Sequence, residues 1–158
     1  MGERTKVHSG GDRGELMSER LKAISLWQPW ASAMADGLKV NETRSWPTKY
    51  RGDLVICSAK HFPRKKDFVD VREYGLAMSL PYGCALCVVE LWDCVSTDSI
   101  KDSLEPMELD LGDYAAGRFS WRTRNLRRLQ FWPRVSGRQG FWWLSVEQSE
   151  AVRAAIGL

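Results

Sequence analysis

The sequence predicts a small α+β domain in which about five or six strands curl toward a barrel and helices pack outside. The chain has 158 residues, enough for one domain with a sizeable core. Hydrophobic residues make up 44% of it and charged residues 27%, which is ordinary usage in a globular protein. Short apolar runs with strand-like alternation recur along the chain, separated by helical segments and by turns that contain Gly or Pro.

The first part of the chain predicts a strand, a helix and a strand in succession. Ala23–Leu26 alternates briefly, as a short strand does. The Ala-rich segment Trp30–Asp36 follows Pro29, which suits a first helical turn because its missing N–H would be unpaired there. Gly37 is a natural helix terminator. Val40–Trp46 then predicts the second strand.

The remaining elements follow from the same patterns. Arg51-Gly52 predicts a turn, and the strand after it is expected to close a hairpin with Val40–Trp46. A short acidic, helical segment is expected to begin at Thr97. The other predicted elements are strands at Leu54–Ala59, Cys84–Leu91, Phe119–Leu126 and Phe141–Val146, and helices at Asp67–Met78 and Glu147–Ile156.

Residues 1–20 differ in composition from the rest. They are rich in Gly, Ser, Arg and Glu and have almost no apolar side chains, which predicts a disordered leader before a domain over residues 21–158. This segment lacks the apolar centre of a secretory signal, and no run has the length needed to cross a bilayer. We therefore expect a cytoplasmic protein that does not interact with membranes.

Two neighbouring segments, Ile24–Trp30 and Gly37–Trp46, combine tryptophans with charges of both signs. Period-two alternation places Glu42 and Arg44 on one face of the predicted strand. Lys39 lies at the junction of helix and strand, where its flexible side chain could reach the same face. An apolar platform beside such charges suits a flat, polar, anionic ligand.

The spacing of Gly37, Lys39, Glu42 and Arg44 resembles the Gly-x-Lys-x-x-Glu-x-Arg signature of ASCH domains, relatives of the PUA-like RNA-binding barrels. The flanking Ser-Leu-Trp-Gln-Pro-Trp and the later Pro-Tyr-Gly-Cys-Ala also match the family. The resemblance runs from about Leu21 to Val146. It implies a PUA-like barrel that binds RNA or a nucleotide. We expect the RNA to be single-stranded, and we expect no cofactor and no metal.

In this binding interpretation Arg44 and Lys39 contact phosphate, and Glu42 accepts hydrogen bonds from a base edge or a ribose. A tryptophan stacks on the base. The candidate binding residues are Trp27, Gln28, Trp30, Lys39, Glu42, Arg44, Trp46, Lys49, Arg51 and Arg138.

Three alternatives remain open. The first is a hydrolase that acts on RNA or a modified nucleoside, with Lys39, Glu42 and more weakly Tyr50 as catalytic residues. The resemblance implies this because some ASCH members cleave RNA or remove the acyl group of N4-acetylcytidine; the latter have a threonine where this chain has Glu42. The second is a protein-interaction module, since ASCH domains also occur in transcription coactivators. The third is that Lys39, Glu42 and Arg44 form a purely structural ion-pair network.

Charge is distributed unevenly, although the net charge is only +3. The segment Tyr114–Val146 contains seven arginines and no acidic residue. Arginines beside aromatic residues are typical of surfaces that bind phosphates and stack on bases. The arginines are Arg118, Arg122, Arg124, Arg127, Arg128, Arg134 and Arg138.

Most of the aromatic residues interleaved with these arginines are expected to be core residues. Alternation would turn Trp121, Phe141 and Trp143 inward and leave Trp142 outside. The aromatic residues are Phe119, Trp121, Phe131, Trp132, Phe141, Trp142 and Trp143.

Four cysteines include the closely spaced pair Cys84 and Cys87. A zinc site needs about four ligands, and neither histidine supplies a second closely spaced pair. The pair also lies in an apolar, β-branched run. We therefore expect Cys84 and Cys87 to be small core residues, and all four cysteines, Cys57, Cys84, Cys87 and Cys94, to be free thiols.

Overall fold

The computed structural model describes residues 19–61 and 79–156, in which six strands form a mixed sheet curled into a half-barrel. The strands are β1 (Lys22–Leu26), β2 (Asn41–Arg44), β3 (Gly52–Ser58), β4 (Ala85–Ser96), β5 (Phe119–Arg128) and β6 (Trp142–Trp143). The helices are α1 (Trp30–Ala35), α2 (Thr97–Ile100), α3 (Pro106–Asp110) and α4 (Val146–Ile156), with a 3₁₀ turn at Lys101–Ser103. The predicted fold class is confirmed. The predicted helix Asp67–Met78 and nearly all of the predicted leader, residues 1–20, lie outside the described residues.

The strand order is β2-β5-β4-β3-β1-β6, with β1 and β3 parallel and the other pairs antiparallel. The predicted hairpin between β2 and β3 is wrong, because β2 pairs with β5 whereas β3 lies between β4 and β1. The physical reason is burial. Residues 54–58 of β3 are all buried, which requires a central strand, whereas burial alternates along β2 as on an edge strand.

Both faces of the central strands are buried. Leu54 and Ile56 face the interior of the half-barrel, whereas Val55 and Cys57 pack with Val152 of α4 on the opposite face. Successive side chains of β3 therefore point into two different cores, whereas in a strand with one solvated face they would alternate between core and solvent.

This arrangement corrects the prediction for β6. Trp142 is buried beside α4 and Trp143 is exposed, the reverse of the expected pattern. Phe141 packs inside the half-barrel with Trp121, as predicted. Phe131 and Trp132 also depart from the core expectation, because their side chains are about half exposed.

The predicted strand Phe141–Val146 is shorter than expected because α4 begins at Val146. Ser145 and Gln148 form reciprocal hydrogen bonds at the helix start: the Gln148 amide donates to Ser145 Oγ and the Ser145 amide to Gln148 Oε1. This capping box ends the extended segment. None of the helices in the described ranges has the length and apolar character needed to span a bilayer.

Candidate functional site

Lys39 is the most deeply buried member of the charged motif, with a side chain only 2% exposed. Its Nζ donates to the carbonyl oxygens of Asn41 (2.5 Å) and Leu111 (2.9 Å) and lies 3.7 Å from Glu42 Oε2. The ammonium is therefore held by two hydrogen bonds to backbone carbonyl oxygens and by one ion-pair contact. Lys39 borders a small cavity of about 250 Å³ that also contacts Glu42.

Glu42 and Arg44 lie on the same side of β2, as the alternation predicts. Arg44 Nε is 3.3 Å from Glu42 Oε1, and Arg44 Nη2 is 3.4 Å from the carbonyl oxygen of Ser25. Glu42 thus lies between two cations and forms a continuous network with Lys39 and Arg44. The Arg44 side chain is 24% exposed, which makes it more accessible than its two partners.

Glu42 and Arg44 open onto a cleft of about 730 Å³. This volume lies within the range of about 300–1,000 Å³ that is usual for small-molecule sites. Its walls combine three tryptophans, four cations, one histidine and one carboxylate. These residues are Trp27, Trp30, Trp46, Arg44, Lys60, Arg118, Arg138, His61 and Glu42.

The three tryptophans are held differently. Trp46 packs edge-on against Trp121, with ring centroids 4.5 Å apart, and its carbonyl oxygen accepts a hydrogen bond from Trp121 Nε1. Trp30 is partly buried at the start of α1. Trp27 is 41% exposed and contacts the ring of His61, with centroids 4.6 Å apart. Trp27 therefore offers the most accessible ring surface of the three.

Residues of β1 and the loop of residues 136–140 both line the cleft and approach each other closely. A Cβ atom on Gly137 would lie 2.2 Å from Ser25 Oγ, so only glycine permits this close approach. Ser25 Oγ is buried and has no hydrogen-bond partner among the described residues. The loop carries Arg138, an exposed side chain at the cleft wall.

Gln28 lies beside the cleft in sequence but is fully buried. Its amide nitrogen donates to Ser32 Oγ and to the carbonyl oxygen of Pro81, each at 2.7 Å, and its Oε1 accepts from the amide of Ser32. All of these bonds hold the start of α1 in place. The side-chain amide of Gln28 is therefore engaged by contacts within the fold, whereas the sequence predicted a contact with the ligand.

Lys49, Tyr50 and Arg51 are not brought into the cleft either. The Tyr50 hydroxyl donates to the carbonyl oxygen of Asp53, and the Tyr50 ring packs against Phe141. Burial, followed by the charge of Asp53, raises the Tyr50 pKa. Arg51 donates to the carbonyl oxygens of Thr48 and Tyr50. The segment 45–51 crosses from the sheet edge to its centre, which carries these side chains away from Glu42.

The acid-free arginine run acquires acidic neighbours from other parts of the fold. Arg127 pairs with Asp53 at 2.6 Å, and Arg124 pairs with Glu90 at 2.8 Å. The other pairs are Arg118 with Asp113, Arg122 with Asp93, and Arg128 with Asp36. The surface of β4 and β5 is therefore mixed in charge, contrary to what the linear sequence suggested.

Two arginines of the run differ from the others. Arg134 and Arg138 are exposed and form no ion pair with the residues that the structure describes. Arg138 lines the cleft, and so does Arg118.

Four residues that line the cleft were not among the predicted site residues: Ser25, Lys60, His61 and Arg118. Arg118 and Lys60 belong to basic segments, but a basic segment does not indicate which side chain faces a cleft. Glu108 was also missed. It is buried, and its carboxylate accepts from the backbone amides of Val40 and Asn41, which fixes the start of β2.

The core position predicted for Cys84 and Cys87 is confirmed, and all four cysteines are free thiols, as predicted. Cys57 is also buried, whereas Cys94 is partly exposed. Burial raises the pKa of all three buried thiols, that of Cys87 to about 12. Within residues 19–61 and 79–156 no group of three His, Cys, Asp or Glu side chains is arranged to hold a metal ion.

Comparison with known proteins gives one family and one fold. The ASCH domain family model matches residues 24–136. Activating signal cointegrator 1 of Homo sapiens is 32% identical over 88 residues, which cover 50% of this chain and 15% of that protein. The Mus musculus protein of the same name is 25% identical over 142 residues, 84% of this chain and 24% of that protein. The chain thus spans about a quarter or less of these relatives.

Among solved structures, the chain resembles the ASCH protein of Zymomonas mobilis with a TM-score of 0.54 and 14% identity. The alignment covers 86% of this chain and 95% of that protein. A point mutant of the same protein aligns with the same TM-score and 15% identity. At this level of identity the likeness concerns the fold.

Proposed function

Because its residues 24–136 match the family model, the chain belongs to the ASCH domain family, and we propose that it binds single-stranded RNA or a nucleotide in the cleft. The observation that carries the proposal is the composition of the cleft. Four cations, three tryptophans and a single carboxylate surround about 730 Å³. Cations contact phosphates, and aromatic rings stack on bases.

The cations of the cleft differ in how much of their charge is available to a ligand. Arg44 forms an ion pair with Glu42, and Arg118 forms an ion pair with Asp113. Lys60 and Arg138 are exposed and have no ion-pair partner within the described ranges. Phosphate contact is therefore expected first at Lys60 and Arg138, and after them at Arg44, which also lines the cleft.

Stacking is expected on Trp27, whose ring is the most accessible. Glu42 supports a polar contact in the same site, because a carboxylate held between two cations still offers acceptor lone pairs to a base edge or ribose hydroxyl. The site thus provides stacking, phosphate contact and an acceptor within one cleft.

The hydrolase alternative receives less support from the geometry. Lys39 is enclosed by acceptors and lies outside the cleft, and Tyr50 is engaged elsewhere. Of the three predicted catalytic residues, Lys39, Glu42 and Tyr50, only Glu42 lines the cleft.

A protein-interaction module is a second candidate, and a specific observation favours it. Phe131 and Trp132 are neighbouring, half-exposed aromatic residues outside the cleft. Exposed aromatic residues are enriched at protein interfaces. The relatives named activating signal cointegrator 1 also suggest such a role.

The binding proposal is tested by fluorescence anisotropy with a labelled single-stranded oligouridylate at increasing salt. We expect micromolar binding with a log–log salt slope of about −2 to −3.5, corresponding to roughly three to five phosphate contacts. Arg138→Ala should weaken binding about fivefold or more, since it removes one charged contact.

Arg124→Ala is the matched control. It removes the same charge from an exposed residue outside the cleft that is already paired with Glu90, so its binding should stay within about twofold of wild type. Absence of binding at low salt would reject the RNA proposal and leave the interaction module as the better candidate. Equal losses in both variants would indicate non-specific charge attraction.

The same oligonucleotide distinguishes binding from hydrolysis. Intact RNA after prolonged incubation supports binding alone. Cleavage that disappears in Lys39→Met while binding persists would favour the hydrolase alternative.

A further inference from the structure

A second groove of about 420 Å³ lies beside the cleft. Lys60, Tyr82, Arg134 and Gln148 line it, and it includes two cations and no acidic side chain among the described residues. An aromatic ring and two cations in one groove are the same combination of groups that the cleft offers to a nucleotide.

Lys60 and Ser136 line both the cleft and the groove. Lys60 Nζ lies 3.4 Å from Ser136 Oγ, so a hydrogen bond joins the two residues that the cleft and the groove share. We call this pair the bridge. A Cβ on Gly83 would lie 2.9 Å from Lys60 Cγ, which means that the lysine stem lies directly over this glycine. The bridge places a cation at the boundary between the two compartments.

Arg134 is held at the groove by the backbone around it. Its main chain forms an isolated bridge with Cys84, and the amide of Val135 donates to the carbonyl oxygen of Gly83 at 3.0 Å. The Arg134 side chain is exposed and has no ion pair within the described residues. A guanidinium that has no ion-pair partner among the described residues, on a backbone held in place by hydrogen bonds, can bind an anion with little loss of conformational entropy.

We propose that a strand bound in the cleft continues over Lys60 into this groove, so that the ligand is an oligonucleotide and not a mononucleotide. Lys60 contacts the phosphate that joins the two compartments. Arg134 contacts a phosphate beyond it, and the Tyr82 side of the groove receives the following nucleotide. The inference rests on the proposed function, because it extends the same site.

The test compares an oligouridylate of two nucleotides with one of eight, on wild type, Arg134→Ala and Arg124→Ala. Wild type should bind the longer strand about tenfold more tightly, since the groove adds contacts to phosphate and to a further nucleotide. Arg134→Ala should weaken the longer strand about fivefold and make its salt slope shallower by about 0.7, the value for one lost phosphate contact on a single strand.

The shorter strand should bind Arg134→Ala with the same affinity as wild type. Arg124→Ala should bind both strands with the affinity of wild type. Failure of this inference is distinct from failure of the proposed function. If the short strand binds but length brings no gain, or if Arg134→Ala weakens both strands equally, the groove proposal is overturned while the cleft remains. If neither strand binds, both proposals fall.

Discussion

Replacement of Lys39 by methionine should destabilise the fold, because this lysine is enclosed as a structural cation. Methionine keeps most of the side-chain length but removes the ammonium. Two buried carbonyl oxygens, those of Asn41 and Leu111, lose their Lys39 donor, and Glu42 loses one of its two cations. The substitution therefore removes the polar contacts of Lys39 while it keeps most of the packing of the side chain.

The magnitude follows from burial. Removing one partner of a buried charged pair costs about 3–5 kcal/mol, because the remaining groups are left uncompensated. For a domain of this size that corresponds to a fall in melting temperature of roughly 6–20 °C. Arg44→Met provides the comparison. Its side chain is 24% exposed, and Glu42 keeps Lys39 as a partner, so we expect a loss of about 1 kcal/mol or less.

Circular dichroism during thermal and urea denaturation measures both variants at neutral pH. Binding to the oligouridylate is measured in parallel, at a temperature where each variant is folded. We expect Lys39→Met to lose stability and to retain binding of the folded fraction. Arg44→Met should behave in the opposite way, with near-normal stability and binding weakened by about 1–3 kcal/mol, as expected for a charged contact with phosphate.

A Lys39→Met protein within about 1 kcal/mol of wild type would refute this reasoning, since the buried carbonyl oxygens would then not need the ammonium. A large loss of stability in Arg44→Met would instead show that Arg44 is the main structural cation of the network.

Three further outcomes are expected. Glu108→Ala should cost about 2–4 kcal/mol by urea denaturation, because two amides at the start of β2 lose their acceptor, whereas exposed Glu105→Ala should be nearly neutral. In the native protein Ellman's reagent should react quickly at Cys94 and slowly at the three buried cysteines, and all four should react after denaturation. The hydrogen bond from Arg127 lowers the Asp53 pKa below its ordinary value of 3.8. The pair therefore stabilises the fold above pH 3.8, and this stabilisation is lost as the pH falls through the lowered pKa. Asp53→Asn should cost no more than about 1 kcal/mol of stability at pH 7, and the difference from wild type should vanish in acid.

Local features of the site could be predicted because they depend on near neighbours in sequence. Alternation along β2 was enough to place Glu42 and Arg44 together, and the Ala-rich segment before Gly37 was enough to predict α1. The reciprocal contacts of Ser145 and Gln148 also carry a recognisable signal in the sequence, although the predicted strand extended past it.

The partners of these residues depended on the tertiary structure. Lys39 is enclosed by a carbonyl 72 residues away, and Arg127 meets an aspartate 74 residues away. No local period encodes such a pairing, because it follows from which distant segments the fold brings into contact. The same order places a core on each face of β3, which is why Trp142 and Trp143 exchanged their expected positions.

The sequence by itself therefore determined the family, the fold class and which side chains share a face of β2. Only the tertiary structure decided that Lys39 and Gln28 are buried and hydrogen-bonded within the fold, and that five of the seven arginines of the run pair with acidic residues outside the run. The physical reason is range. Helix and strand periodicity arises from backbone geometry over a few residues, whereas burial and charge compensation are set by whichever distant segments the sheet brings into contact.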